Sequence, residues 1–367
     1  LFKGAQKPKY QCLKEYIIET IRQEQLKFGD RIFSENELAE KFNISRHTVR
    51  QAIGELVNEG WLYRLHGKGT FVGNGPCERR EKTHTIGVIT TYLNDYIFPA
   101  IICGINSVLL EHGYNMLLSC TYNRHEMERL CLENLKDHRI AGLIVEPTKS
   151  ALPNPNLDLY REIIQKEIPI LFIHGCYEDF NCPYVVEDDA WGGYISTRHM
   201  IELGHTRIGG VFKKDDIQGH YRFAGFKKAH EEAGLEVMPS RVLWFDTEQA
   251  VSFESSLKES LVDLLRRCSG IVCYNDQMAI RILDVLREMD LSVPEDVSLV
   301  SFDDSQLAVA SEVKLTTVAH PQERLGQQAA MALIDMIEGR QKRCSIKMKP
   351  ELIVRGSVKK ISERGEG

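Results

Sequence analysis

Residues 43–72, NISRHTVRQAIGELVNEGWLYRLHGKGTFV, constrain this chain most, because they predict a two-faced helix followed at once by a tight two-stranded hairpin. Val49, Ala52, Ile53, Leu56 and Val57 recur at helical spacing and form an apolar stripe, while Arg46, His47, Arg50 and Gln51 fall on the other side. Ser45 is suited to cap the helix, since its hydroxyl takes an amide proton that the first turn leaves free. The basic side chains then sit in the first two turns. Arginine bridges guanine O6 and N7, and glutamine pairs with adenine in the same two-pronged way, so this face suits a major groove. The hairpin turns at His66-Gly67-Lys68-Gly69, and two glycines with a lysine suit close approach to a phosphate backbone or minor groove.

Taken alone, such a helix is an ordinary amphipathic one with a solvated basic face. Its context points elsewhere. The run Ser34-Glu35-Asn36-Glu37-Leu38-Ala39-Glu40-Lys41-Phe42 opens with a capping box, Ser34 and Glu37, and carries Leu38 and Phe42 on one face. Helix, short turn through Asn43 and second helix is the helix-turn-helix order. Pro8-Lys9-Tyr10, SENELAEKF, SRHTVRQA and GKGTFV together resemble the GntR family of winged-helix regulators over about residues 7–73. The resemblance implies double-stranded operator DNA as a partner and places Lys9, Ser34, Ser45, Arg46, His47, Thr48, Arg50, Gln51, His66 and Lys68 at the DNA. Lys9 and Lys68 are expected at phosphates.

Charge divides unevenly along the 367 residues. Residues 1–73 carry 12 Lys/Arg against 9 Asp/Glu, a net of +3, and the remainder carries 34 against 43, a net of −9. A small basic head on a large acidic body fits a DNA reader with a separate ligand or partner domain. No apolar run approaches the roughly 18 residues of a membrane helix and no signal pattern opens the sequence, so a soluble cytoplasmic protein is expected. The ten cysteines include no CxxC, and Cys176/Cys182 and Cys268/Cys273 are too widely spaced for a usual zinc knuckle. Buried, reduced thiols and no metal are expected.

A first helix is expected over residues 9–25, with Leu13, Ile17 and Ile21 on one face. Residues 74–84, rich in glycine, proline and charge, read as a linker. From residue 85 to 358 short apolar runs alternate with helix-length segments: TIGVIT (85–90), NMLLSC (115–120), GLIVEP (142–147), PILFIH (169–174), then RIGGVF (207–212), VLWF (242–245), IVCYND (271–276) and VSLVSFDD (297–304). Between the later strands, helices are expected over 221–233, 253–267 and 277–289. The spacing is that of βαβ units, so the fold class is α/β: a winged helix-turn-helix head and a doubly wound body in two successive lobes. Residues 359–367 read as a tail.

In such sheets ligands sit beyond the carboxyl ends of the strands. Those positions hold Tyr92, Asp95, Tyr96, Glu146, His174 and Asp188 in the first half, and Lys213, Asp215, Asp216, Arg222, Asn275, Asp276 and Asp303 in the second. Tyr92, Asp95, Tyr96, Glu146, His174, Asp188, Arg222, Asn275 and Asp303 are the ligand candidates. Carboxylates accept two hydroxyl protons at once and an aromatic face covers the C–H side of a ring, which suits a neutral polyol. A phosphorylated ligand would call for a glycine-rich turn at a helix start, and none of these strand ends supplies one. Structural roles stand beside these: Arg222 tying its segment to Asp276 or Asp303, Asp304 capping or turning, and His174 as a satisfied structural histidine.

HMIELGHTRI (199–208), YRFAGF (221–226), YNDQMA (274–279) and VSFDD (300–304) resemble the effector-binding core of the LacI/GalR family over about residues 84–358, whose lobes are similar to periplasmic sugar-binding proteins. A GntR-type head on a LacI-type body is similar to the arabinose-responsive repressors, and ITTYLNDYIF, LIVEPTKSAL, CYNDQMAI and SEVKLT carry that likeness. It implies a homodimer that releases operator DNA when free L-arabinose binds between the lobes. A hybrid regulator answering to another sugar is the alternative. A DNA-tethered sugar-modifying enzyme is less well supported. His125-Glu126 and His230-Glu231 begin like a zinc-protease signature, but Arg129 and Gly234 stand where the second histidine belongs. The glycines at 67, 69 and 73 have the wrong spacing for a dinucleotide loop. There is no GxSxG and no GxxxxGK[ST], so no catalytic residue is assigned.

Overall fold

A computed structural model describes residues 8–23, 26–27, 29–65, 69–73, 83–94, 97–177, 180–253, 255–341 and 344–361. The chain forms two compact units, residues 1–83 and 84–367. The first is built from α1 (Lys9–Gln23), α2 (Glu35–Phe42), α3 (Arg46–Asn58) and the antiparallel hairpin of β1 (Leu62–Leu65) and β2 (Gly69–Val72). Each helix turns one apolar stripe inward: Leu13, Ile17 and Ile21 from α1, Leu38 from α2, and Val49, Ala52, Ile53 and Leu56 from α3 close one core with Leu62 and Val72. Both expected caps are present. Ser34 and Glu37 form the capping box, and Asn43 ends α2 in the left-handed conformation (φ 50°) that a tight helix-turn-helix corner needs. The expected residues 24 and 25 of the first helix, and most of the linker, lie outside the described residues.

The second unit follows the order β3 (Thr85–Thr90), α4 (Phe98–Glu111), β4 (Asn115–Cys120), α5 (His125–Asp137), β5 (Gly142–Val145), α6 (Leu157–Gln165), β6 (Ile170–Ile173), β7 (Tyr184–Glu187), α7 (Asp189–Glu202) and β8 (Ile208–Lys213). It continues with α8 (Ile217–Glu232), β9 (Val242–Phe245), α9 (Thr247–Ser252), α10 (Ser255–Leu265), β10 (Gly270–Cys273), α11 (Asp276–Glu288) and β11 (Ser298–Asp303). Then come α12 (Gln306–Ala310), β12 (Thr316–Ala319), α13 (Gln322–Ile337), β13 (Ser345–Met348) and β14 (Leu352–Ile353). Two six-stranded sheets result, ordered β13-β7-β6-β5-β3-β4 and β14-β12-β11-β10-β8-β9, parallel except where β14 meets β12. Side chains alternate across each strand, so both faces of each sheet are buried. In the first, Ile144 faces α4 and α13 while Leu143 and Val145 face α5 and α6. In the second, Val272 and Val300 face α7 and α8 while Ile271 and Leu299 face α10 and α11.

The lobes are not two successive halves, as the strand spacing had implied. The chain crosses between sheets three times, after β7, after β12 and after β13, so α13 and β13 return to the first sheet. A close helix contact explains the return of α13. A Cβ at Gly104 on α4 would lie 2.2 Å from the Glu323 carbonyl oxygen, and one at Gly326 on α13 would lie 2.2 Å from that of Ile101, so only glycines let these two backbones meet. The helix expected over 253–267 is α10, preceded by the short α9, which ends where Phe253 turns left-handed (φ 43°), and the one expected over 221–233 begins a turn earlier at Ile217. No helix among the described residues is long and apolar enough to cross a membrane.

Candidate functional site

On the first unit, Ser45 caps α3 by accepting from the Thr48 amide at 3.2 Å, and the Thr48 hydroxyl lies 2.9 Å from that of Ser45. This directs Arg46, His47, Arg50 and Gln51 outward, all exposed, while Val49, Ala52 and Ile53 hold the opposite face in the core. Ser34 spends its hydroxyl on the Glu37 amide, and Lys9 stands exposed at the start of α1. Sequence reasoning did not single out Glu35 or Arg64. Glu35 pairs with Arg50 at 2.8 Å and with Arg64, from the wing, at 3.4 Å, so one carboxylate orients a recognition-helix cation and a wing cation together. His66 and Lys68 lie outside the described residues.

On the second unit, a cavity of about 200 Å³ opens at the carboxyl ends of both sheets. Strand ends position its lining: Thr91 and Tyr92 follow β3, Glu146 follows β5, His174 follows β6, Lys213 closes β8, Tyr274 and Asn275 follow β10, Asp303 closes β11 and His320 follows β12. Gln218 and Arg222 enter from α8. Tyr92, Glu146, His174, Arg222, Asn275 and Asp303 thus converge from both lobes. Asp95 and Tyr96 lie outside the described residues. Asp188 is a correction: it does not line the cavity but caps α7, accepting from the Trp191 amide at 3.0 Å, and it pairs with Lys347 at 2.9 Å. Its place at the first crossing put it near the strand ends in sequence, and the helix start claimed its carboxylate.

The Thr91 amide and hydroxyl donate to one oxygen of Glu146 at 2.7 and 2.6 Å, and His174 Nδ1 meets the other at 3.0 Å. Arg222 donates through Nε to Asp189 at 2.8 Å and through a terminal nitrogen to the Tyr274 carbonyl at 2.6 Å, with Asp303 at 3.8 Å. Its tie therefore runs to Asp189 and Asp303 rather than Asp276. Burial opposes the Arg222 charge, yet Asp189 and Asp303 raise its pKa above the ordinary range. Lys213 behaves alike: burial opposes its charge, and Asp216 at 2.6 Å and Asp215 at 4.0 Å raise its pKa. Asp276 lies beneath the lining, accepting from Ser301, Ser305 and Thr317, and burial followed by the Asp303 charge pushes it up to about 6. Asp304 pairs with Arg355 at 2.6 Å. His174 (φ 62°) and Asp303 (φ 100°) both hold left-handed backbones, strain of the kind that gathers at functional sites.

Sequence reasoning missed His320 and Gln218. β12 is only TTVA, too short and polar a run to mark a strand end, and Gln218 lies in the helical turn not assigned to α8. Among the described residues, no group of three or more His, Cys, Asp or Glu side chains gathers as a metal site.

Residues 9–72 match the family described as bacterial regulatory proteins, gntR family, and residues 197–358 match the periplasmic binding protein-like domain. The chain is similar to the arabinose metabolism transcriptional repressor of Halalkalibacterium halodurans, with 45% identity over 370 residues, 97% of this chain and 98% of the relative. The protein of that name from Geobacillus stearothermophilus is 45% identical over 358 residues, 96% of this chain and 98% of that one. A periplasmic binding protein/LacI transcriptional regulator from Alkaliphilus metalliredigens, solved with D-xylulofuranose, superposes with a TM-score of 0.65 at 24% identity, covering 76% of this chain and 100% of the other. At that identity the likeness speaks for the fold.

Proposed function

The chain belongs to the family of arabinose metabolism transcriptional repressors, and from that membership we propose that it holds operator DNA with its winged helix until free L-arabinose occupies the cavity between its two sheets. The cavity carries this reading. Its carboxylates Glu146, Asp216 and Asp303 are matched by the cations Lys213, Arg222 and Arg281, so the lining favours a neutral ligand with many hydroxyls over an anion. Tyr92, Phe98 and Tyr274 supply the aromatic surface that a sugar's C–H faces need. The names of the two relatives support arabinose among neutral sugars.

A ligand touching Glu146 on one side and Asn275 and Asp303 on the other stabilises the arrangement that keeps both sides in reach. The proposed action is that of a cytoplasmic homodimer, in which sugar changes the fit of two heads to paired half-sites. Coupling of about 1–3 kcal/mol is the usual scale, and linkage requires operator DNA to weaken sugar binding by the same factor. The test is to titrate L-arabinose into the full chain with and without operator. Weaker binding in the presence of DNA is expected, and equal affinities would overturn release by the sugar. Sedimentation at micromolar concentration checks the dimer, against which a monomer on and off DNA would count.

A further inference from the structure

Beyond the cavity, the two lobes touch at a second place. The three chain crossings all lie at the β7/β13 edge of the first sheet and the β12/β14 edge of the second, while β4 and β9 form the opposite edges. Loops after β4 and β5 meet the segments after β8 and β9 at that far side. Asn123, 1% exposed, accepts from the Lys149 amide at 2.7 Å through its oxygen and donates to the Thr247 hydroxyl at 2.7 Å through its nitrogen. Thr247 in turn donates its amide and its hydroxyl to Asp215 at 3.0 and 2.6 Å. Every proton in this chain has one direction: a backbone amide fixes the Asn123 oxygen, so its nitrogen faces Thr247, whose single hydroxyl proton is left for Asp215.

Other bonds span the same gap. The Ile217 amide donates to the Ser150 hydroxyl at 2.9 Å, the Ala151 amide donates to the Asp215 carbonyl at 3.2 Å, and Lys149 pairs with Glu248 at 2.5 Å. On the first lobe, Tyr122, Asn123 and Lys149 all hold left-handed backbones (φ 50°, 52° and 44°), conformations that persist only where surrounding contacts impose them. Asn123, Lys149, Ser150 and Glu248 do not line the cavity; Thr247 does, and Asp215 sits 4.0 Å from the lining Lys213.

We propose that this cluster is a latch: Asn123, Lys149 and Ser150 clasp Asp215, Ile217, Thr247 and Glu248, and so position the lobes and set the affinity for the sugar from a place that borders the cavity only at Thr247. The bonds that cross between the lobes exist only while the lobes are together, so their free energy adds to whatever the ligand contributes to that arrangement. The latch regulates the cavity assigned above and rests on that reading for its ligand.

The experiment uses the full chain with Asn123→Asp, Lys149→Glu and the charge-swapped Lys149→Glu/Glu248→Lys. Asn123→Asp keeps the shape but replaces the donor facing Thr247 with an acceptor. Calorimetry with L-arabinose should show binding weaker by about tenfold for Asn123→Asp, the scale of one lost buried hydrogen bond. Lys149→Glu should weaken it a few-fold, with recovery in the double swap, a rescue that general loss of stability does not give. Hydrogen exchange without sugar should speed up at the Ala151 and Ile217 amides of Asn123→Asp, while β11 stays protected. Unchanged exchange at those amides, or faster exchange with unchanged sugar affinity, overturns the latch. Faster exchange in a protein whose wild type ignores L-arabinose keeps the latch and removes arabinose as its ligand.

Discussion

His174 and His320 meet nitrogen to nitrogen, Nε2 to Nε2 at 3.0 Å, one from the end of β6 and the other from the crossing after β12. One of the facing nitrogens donates and the other accepts, so only one proton lies between the rings. His320 Nδ1 faces Glu187 at 3.7 Å, and burial followed by Asp189 pushes that carboxyl well above its ordinary range. Burial, the His174 ring and the Arg222 guanidinium hold His320 well below the usual histidine range.

That depression has a definite sign in stability. Above about pH 6.5 His320 is neutral whether the chain is folded or not; below it the unfolded chain takes up a proton that the folded one refuses, so folding loses stability as pH falls. Wild type and His320→Gln should therefore keep a constant stability difference above about pH 6.5. Below it the difference should move against wild type by up to about 1.4 kcal/mol per pH unit. Urea denaturation at several pH values checks this, and parallel pH profiles would refute it.

Arg50→Ala should weaken operator binding by about 1–3 kcal/mol if the guanidinium reads a base edge. Glu35→Gln should act oppositely on unrelated DNA, since it frees Arg50 and Arg64 from their shared carboxylate. The salt dependence of binding should then steepen. Fluorescence anisotropy at two salt concentrations reads both, and an Arg50→Ala protein that folds and binds its operator fully removes the groove assignment.

Arg222 serves the fold as well as the cavity. Removing it as Arg222→Ala leaves Asp189 and Asp303 buried against each other without their cation, and breaking a buried ion pair in this way costs about 3–5 kcal/mol. Denaturation should show that loss with no ligand present. A variant as stable as wild type, defective only toward sugar, would mean that Arg222 serves the ligand alone.

What the sequence made legible is what local pattern encodes. TIGVIT, NMLLSC and VLWF are strands over the expected residues because each run belongs on a sheet buried on both faces, and Ser34, Glu37 and Ser45 cap as their spacing predicts. The return of α13 to the first sheet rests on two glycines far apart in sequence, Gly104 and Gly326, and no local window contains that meeting. The same limit hid the nearer partner of Arg222, although Asp303, the farther one at 3.8 Å, was among those expected. Asp276 and Asp303 follow strands and looked available, but Asp276 is consumed by Ser301, Ser305 and Thr317, and Asp189, one residue beyond the first crossing, comes 2.8 Å from the guanidinium. His320 entered the cavity on a strand too short and polar to announce itself.

The packing of α7 on α8 sets where Arg222 stands, and two glycines permit it. A Cβ at Gly225 would lie 1.9 Å from the Ala190 carbonyl oxygen, and one at Gly193 would lie 2.0 Å from the carbonyl oxygen of Arg222 itself. Both obstacles are backbone, so no side chain can swing aside and the helices must part. Gly225→Ala should therefore cost about 1–3 kcal/mol or more, the usual range for forcing a methyl into a packed interior. Since α8 carries Gln218 and Arg222 into the cavity, its displacement should also weaken sugar binding, while Gly234→Ala near the end of the same helix, with open space at its Cβ but a left-handed φ of 68°, should affect stability alone. Calorimetric titration with L-arabinose alongside urea denaturation separates the two effects. If Gly225→Ala loses stability yet binds the sugar as wild type does, the placement of Arg222 does not depend on this helix contact.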